Sequence, residues 1–146
     1  MAAWFWYAIV ATLLYGAHQI FTRLAADQIG DGIGGFIVEA VAALTIFLYL
    51  CVLWFGGHWH QKWTPLGVGY SALTGICVGV GTVAFFLLFQ RGGPLSAVPA
   101  ILAGGAAMMA LVGIFFFHEH ASWQRYLGIA LSLLGLLLMR DNANQP

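Results

Sequence analysis

The chain has 146 residues, 62% of them hydrophobic and only 7% charged, and it carries no formal net charge at pH 7. Soluble domains hold about 25% charged residues, so this composition excludes a soluble fold, and the balanced charge leaves no basic face for nucleic acid. A mean hydropathy of +0.90 points to an integral membrane protein made of a single membrane domain.

An apolar run of about 20 residues crosses the hydrocarbon core of a bilayer, and on that measure the chain divides into five spans. The first covers residues 4–25. It opens with Trp4, Trp6 and Tyr7, which suit a belt at headgroup level, and it ends on Arg23. No Lys or Arg precedes it, and it is too long for the apolar region of a cleavable signal. A short polar, glycine-rich loop over residues 27–32 leads to the second span, residues 33–55, interrupted only by Glu39.

The longest loop, residues 56–64, reads GGHWHQKWT. Pro65 then starts the third span, residues 66–89. Gly75 and Gly79 give this span a small-residue face on which another helix can pack closely. Arg91-Gly92-Gly93-Pro94 breaks the helix, and the fourth span follows over residues 95–117. Pro94, Pro99 and Gly104-Gly105 loosen it, either to line a polar pathway or to receive a neighbouring helix. His118-Glu119-His120-Ala121-Ser122 separates it from the fifth span, residues 123–139. Ser122 suits an N-cap, and Glu119 sits where the dipole of that last helix favours an acid. A polar tail from Asp141 to Pro146 is expected to be disordered. Cys51 and Cys77 each fall inside a span and read as small apolar core residues.

The fold expected is therefore an all-α membrane protein, a bundle of five transmembrane helices with its termini on opposite sides. Side A holds the N-terminus, the 56–64 loop and the 118–122 loop, together with all six tryptophans and four of the five histidines. Side B holds Arg23, Arg91 and Arg140, against Lys62 and Arg125 on side A. The positive-inside rule thus gives side B only a slight preference for the cytoplasm.

Several of these residues resemble one EamA-type repeat of the drug/metabolite transporter superfamily. They are Arg91-Gly92-Gly93-Pro94 with Ser96, Phe116-Phe117-His118-Glu119, and Gly128-Ile129-Ala130-Leu131 with Gly135. Tyr15-Gly16 followed by Arg23 is similar to the first-helix pattern of that family. The chain departs from it in the histidines flanking Glu119, in Tyr15 where tryptophan is usual, and in having Gly104-Gly105 where a mid-helix proline is frequent. The resemblance implies a secondary transporter or exporter of a small metabolite or drug-like solute, working by alternating access in a bacterial inner (cell) membrane. It also implies an N-terminus inside, against the slight vote of the charges. Because larger members hold two inverted five-helix repeats, it implies a homodimer here.

An ionisable group inside a span is a functional-site hypothesis, since exposing it to lipid costs roughly 2.5–3.5 kcal/mol on insertion scales. His18 lies seven residues before the end of the first span and Glu39 six residues after the start of the second. Both side chains sit roughly 10 Å below side B at 1.5 Å per residue. They form the expected substrate- and proton-binding site, facing one cavity with Gln19 and Thr22; the alternative is a buried structural pair. Arg91, at the end of the third span, draws an anionic group toward the same entrance or else serves only as a helix-end charge. His58, His60, His118 and His120 contain two His-x-His pairs, but no fixed metal-ligand spacing such as H-E-x-x-H, and no metal is expected. Gly67-x-Gly69 and Gly79-x-Gly81 lie in spans and follow no strand. With no nucleophile constellation, phosphate loop or cofactor motif, neither enzymatic activity nor a cofactor is expected. The competing functional readings are a structural subunit of a membrane complex and a lipid or lipid-linked sugar flippase.

Overall fold

The computed structural model describes residues 3–118 and 122–142. Its elements are α1 (Ala3–Ala26), α2 (Asp31–Phe55), α3 (Pro65–Gln90), a single 3-10 turn (Leu95–Ala97), α4 (Val98–Phe115) and α5 (Trp123–Asn142). There is no strand among the described residues, so the all-α class read from composition is the observed one. The helices fall into two compact units, one ending at Gly93 and one starting at Pro94.

Local chemistry sets the helix ends. α2 ends on Gly56, after which Gly57 adopts φ 70°. The amide of Gly57 bonds Trp54 O and that of His58 bonds Leu53 O, the paired bonds of a Schellman cap. α3 ends in the same way: Gly92 adopts φ 84°, its amide bonds Phe89 O, and the Gly93 amide bonds Leu88 O at 2.9 Å. A Cβ on Gly93 would meet the Leu88 carbonyl, so the Gly-Gly pair is what the turn requires. Thr64 caps the start of α3, its Oγ1 accepting from the Gly67 amide at 3.1 Å, with Pro65 at the first helical position, where a missing N–H costs nothing.

Two readings of the fourth span change. Pro99 lies in the first turn of α4, where proline is tolerated, so it starts that helix instead of kinking it. The helix also ends at Phe115, two residues short of the expected span, and His118 takes a left-handed φ of 51°. At the other end of the chain, Asp141 and Asn142 continue α5, although their polarity suggested a tail; Glu119, His120 and the last four residues lie outside the described part.

In the first unit the core lies at one end. Gln19, Thr22 and Ala26 of α1, Gly34 and Gly35 of α2, and Thr82, Phe86 and Phe89 of α3 are buried, whereas α2 beyond Ala40 and α3 before Gly79 are almost wholly exposed. All the buried residues belong to the side B half of their helices. The close approach is at Gly34, where a Cβ would overlap the Phe86 ring, and at Gly35, where it would press on Val83. Among the described residues of this unit, nothing lies within 4 Å of a Cβ placed on Gly75 or Gly79, so the expected small-residue face of α3 is not where the helices of this unit meet. In the second unit α4 packs on α5, with Val98, Ala100 and Ala107 of α4 buried.

The helix at Asp31–Phe55, the helix at Pro65–Gln90 and the segment Leu95–Phe115 are each long and apolar enough to cross a membrane. α1 and α5 have 24 and 20 residues. α1 interleaves its apolar residues with Trp4, Trp6, Tyr7, Tyr15, His18 and Gln19, while the apolar stretch of α5 is the shorter Tyr126–Gly135. The exposed leucines, valines, isoleucines and phenylalanines of all these helices form the surface that lipid would cover.

Candidate functional site

Threonine hydroxyls in lipid need partners. Thr12, Thr22, Thr45 and Thr74 each return theirs to the carbonyl four residues earlier, the local bond open to any helical threonine. Thr82 breaks that pattern: its hydroxyl donates across the helix interface to Glu39 Oε1 at 2.6 Å. Thr82 is 5% exposed and Glu39 half-buried, so the bond is part-buried.

His18, Glu39 and Thr82 lie at one depth. His18 is eight residues before Ala26, Glu39 eight after Asp31, and Thr82 eight before Gln90, each measured from the side B end of its helix. At 1.5 Å per residue this puts a single polar layer about 12 Å in from that end. Gln19, beside His18 on α1, is 7% exposed. At about 100° per residue, Thr22 falls between His18 and Gln19 around the helix, and the Thr22 hydroxyl donates to the His18 carbonyl at 2.9 Å.

The hydrogen bonding of the layer is incomplete. His18 Nδ1 and Gln19 Oε1 are buried and have no hydrogen-bond partner among the described residues. Glu39 is hydrogen-bonded to a neutral hydroxyl, and the ion pair among the described residues is elsewhere, between Arg23 and Asp27. That pair is held by proximity of charge and not by an aligned hydrogen bond. The Arg23 guanidinium also lies 5.9 Å from the centroid of the Phe89 ring, a cation–π distance. Above it, Gln90 Nε2 donates to Ile29 O at 2.9 Å and ties the end of α3 to the α1–α2 turn.

Of the residues singled out in the sequence, then, Glu39, His18 and Gln19 fall in or beside one layer, and Glu39 is joined to Thr82. Arg91 is exposed at the C-cap of α3, its amide bonded to Leu87 O. Thr82 was not among the sequence candidates. Hydroxyls within helices are ordinarily bound locally, and only the common count of eight residues, which needs both helix ends, would have marked it. His58, His60 and His118 are exposed. A groove of about 450 Å³ at the start of α3 is lined by Lys62, Trp63, Thr64, Gly67, Val68 and Ser71. It lies at the opposite end of the helix from the polar layer, and its Thr64 is already committed to the Gly67 amide.

Over 109 residues, 71% of its length, the chain is 32% identical to the uncharacterized transporter YwfM of Bacillus subtilis (strain 168). It spans about a third of that relative, 33% of its length. No family model matches the chain, and no solved structure matches it. With three helices of membrane-crossing length and apolarity, it is an integral membrane protein similar to a transporter.

Proposed function

We propose that the protein is a secondary transporter, an importer or exporter of a small metabolite or drug-like solute, and that the layer of His18, Gln19, Glu39 and Thr82 binds what it moves. The observation that carries this reading is the carboxylate of Glu39, bound across a helix interface in otherwise apolar helices and bonded to a neutral group. A carboxyl group at that depth is costly, and its use is to take and release a proton or a polar solute as access alternates between the two sides. The similarity to a transporter over 109 residues supports the same reading, as does the resemblance to an EamA-type repeat. On that resemblance we also propose five spans in a bacterial inner membrane and a pathway completed by a second copy of the chain.

The test is solute-driven proton movement. Purified protein is reconstituted in liposomes holding a pH-sensitive dye, and a panel of small metabolites is added outside. The wild type should give a dye response to at least one solute, and Glu39→Gln should give none while still reconstituting as a folded protein. If no solute moves faster than in protein-free liposomes, the protein is not a transporter of this kind; an unchanged response in Glu39→Gln removes Glu39 from the mechanism.

A further inference from the structure

We propose that the groove at the start of α3 holds the phosphate of an anionic phospholipid, with Lys62 and Ser71 as its principal contacts. This lipid site is separate from the polar layer and stands whether or not that layer transports a solute.

The groove, about 450 Å³, is lined by Lys62, Trp63, Thr64, Gly67, Val68 and Ser71, a volume within the usual range for a small-ligand site. α3 has 26 residues, about 39 Å at 1.5 Å per residue, against about 30 Å of hydrocarbon in a bilayer. Its first turn therefore reaches headgroup level, the depth that Trp63 also favours. Leu66, Val68, Tyr70 and Leu73 are exposed on the same part of the helix, an apolar surface along which the acyl chains of a lipid held there continue.

Charge decides the kind of headgroup. Lys62 is the charged residue of the groove, and the 56–64 loop holds no Asp or Glu. The ion pair among the described residues is Arg23–Asp27, at the other end of the helices, so Lys62 has no acidic partner there. Hydrogen bonding points the same way. Thr12, Thr22, Thr45 and Thr74 return their hydroxyls to the carbonyl four residues earlier, but Ser71 makes no such bond among the described residues. Thr64 Oγ1 accepts from the Gly67 amide, which leaves its O–H to donate. The ammonium of Lys62 and the indole of Trp63 only donate, and the two hydroxyls can donate. Each polar side chain of the groove thus has a donor to give, and none carries a negative charge. Phosphate oxygens accept from such donors, and a headgroup of net negative charge answers Lys62. The choline of a zwitterionic lipid brings a second cation instead.

The experiment counts lipids retained by the purified protein in native mass spectrometry, after incubation in detergent with equimolar phosphatidylglycerol and phosphatidylcholine. The wild type should retain phosphatidylglycerol at least about fivefold more than phosphatidylcholine, the ratio expected for one lysine near an anionic headgroup. Lys62→Gln should bring that ratio close to one. The double variant Lys62→Gln with Gln61→Lys keeps the charge of the loop but moves it to a residue that does not line the groove, and it should lose the preference as well. Ser71→Leu keeps Lys62, fills the groove and should lower retention of phosphatidylglycerol by about fivefold, the loss of one net hydrogen bond. Gln61 and Lys62 are exposed, so their variants keep the fold and decide the matter if Ser71→Leu does not fold. An excess of inorganic phosphate should leave lipid retention unaltered.

Equal retention of the two lipids by the wild type, or retention of neither, would overturn the proposal. So would a preference that survives Lys62→Gln. A preference that survives the moved charge would overturn it too, by making selectivity a property of the net charge of the loop. Displacement of the lipid by inorganic phosphate would show a site for soluble anions in place of a lipid site.

Discussion

Thr82 and Glu39 are joined across α2 and α3 by a 2.6 Å hydrogen bond, although 43 residues separate them. The bond fixes which way the carboxylate points and couples two helices at the depth of the proposed site. Replacing Thr82 by valine keeps its shape and removes the donor. Interhelical side-chain hydrogen bonds in membranes contribute about 0.6 kcal/mol on average and up to about 1.7, and Thr82→Val should destabilise the protein within that range. Thr82→Ser, which keeps the hydroxyl, should restore most of the loss. Unfolding in detergent with increasing denaturant measures both variants; equal stability of the valine variant and the wild type would show that the bond contributes nothing.

The same geometry predicts that Glu39→Gln folds normally. The amide oxygen replaces Oε1 as the acceptor for Thr82, so the interface keeps its bond while the group loses its exchangeable acid proton. The expected result is a midpoint near that of the wild type together with the loss of proton-coupled flux. A large drop in midpoint would mean that the charge itself supports the fold.

Packing at the glycines gives a graded series. A Cβ on Gly34 would overlap the Phe86 ring, which is fully buried, whereas at Gly35 it would stand 3.1 Å from Val83 Cγ2 and at Gly75 it would meet nothing within 4 Å. Overpacking of a filled core costs about 1–3 kcal/mol. Gly34→Ala should fall in that range, Gly35→Ala should cost less, and Gly75→Ala should leave the stability of the chain unaltered. Adding Phe86→Leu to Gly34→Ala should recover part of the loss, because a smaller side chain leaves room for the new methyl. A series in which Gly75→Ala is the most damaging would contradict the observed packing.

How much of this was legible beforehand follows from what each feature depends on. The helices were visible because long apolar runs are broken by Gly-Gly and Pro, and those breaks are the observed Schellman caps and the Thr64–Pro65 start. His18 and Glu39 stood out as ionisable residues in apolar runs, and counting from the short loop gave them a common depth. Thr82 and Gly34 did not stand out. A threonine in a membrane helix is ordinarily satisfied by its own backbone, and a glycine is one of 19 in the chain; which of them meets another helix depends on the rotation of α2 against α3. Sequence spacing alone does not fix that rotation when the helices are apolar all round. For the same reason the small-residue face at Gly75 and Gly79 was read as the close approach, and the structure places it at Gly34 and Gly35.

The loop histidines should be dispensable for folding. His58, His60 and His118 are exposed, so their loss leaves no cavity. At His118 the left-handed φ of 51° is one that asparagine adopts more readily than most residues, so His118→Asn keeps the turn. Changing His58, His60, His118 and His120 together to asparagine should shift the thermal midpoint very little. A large fall, reproduced by a chelator on the wild type, would instead reveal a structural metal.

The assembly prediction is an antiparallel homodimer from chains inserted both ways. Ten-helix transporters with inverted repeats place their halves in opposite orientations around a midplane site, and a five-helix chain rebuilds that arrangement when some copies are inverted. The charges permit it: Arg23, Arg91 and Arg140 on one side against Lys62 and Arg125 on the other is a bias of one, and such biases in short loops direct orientation. The tryptophans press in the same direction. Trp54 and Trp59 meet edge to face at 5.2 Å at the end of α2, and the other four tryptophans belong to that same side in the sequence. Aromatic belts normally occupy both interfaces, which an antiparallel pair restores and a parallel pair does not. Two reporters fused to the C-terminus, one active only in the cytoplasm and one only outside it, should therefore both be active. Adding two lysines to the 56–64 loop should then silence one of them by fixing the orientation. Activity of a single reporter in the unmodified protein would mean that every copy inserts the same way, and the antiparallel dimer would be excluded.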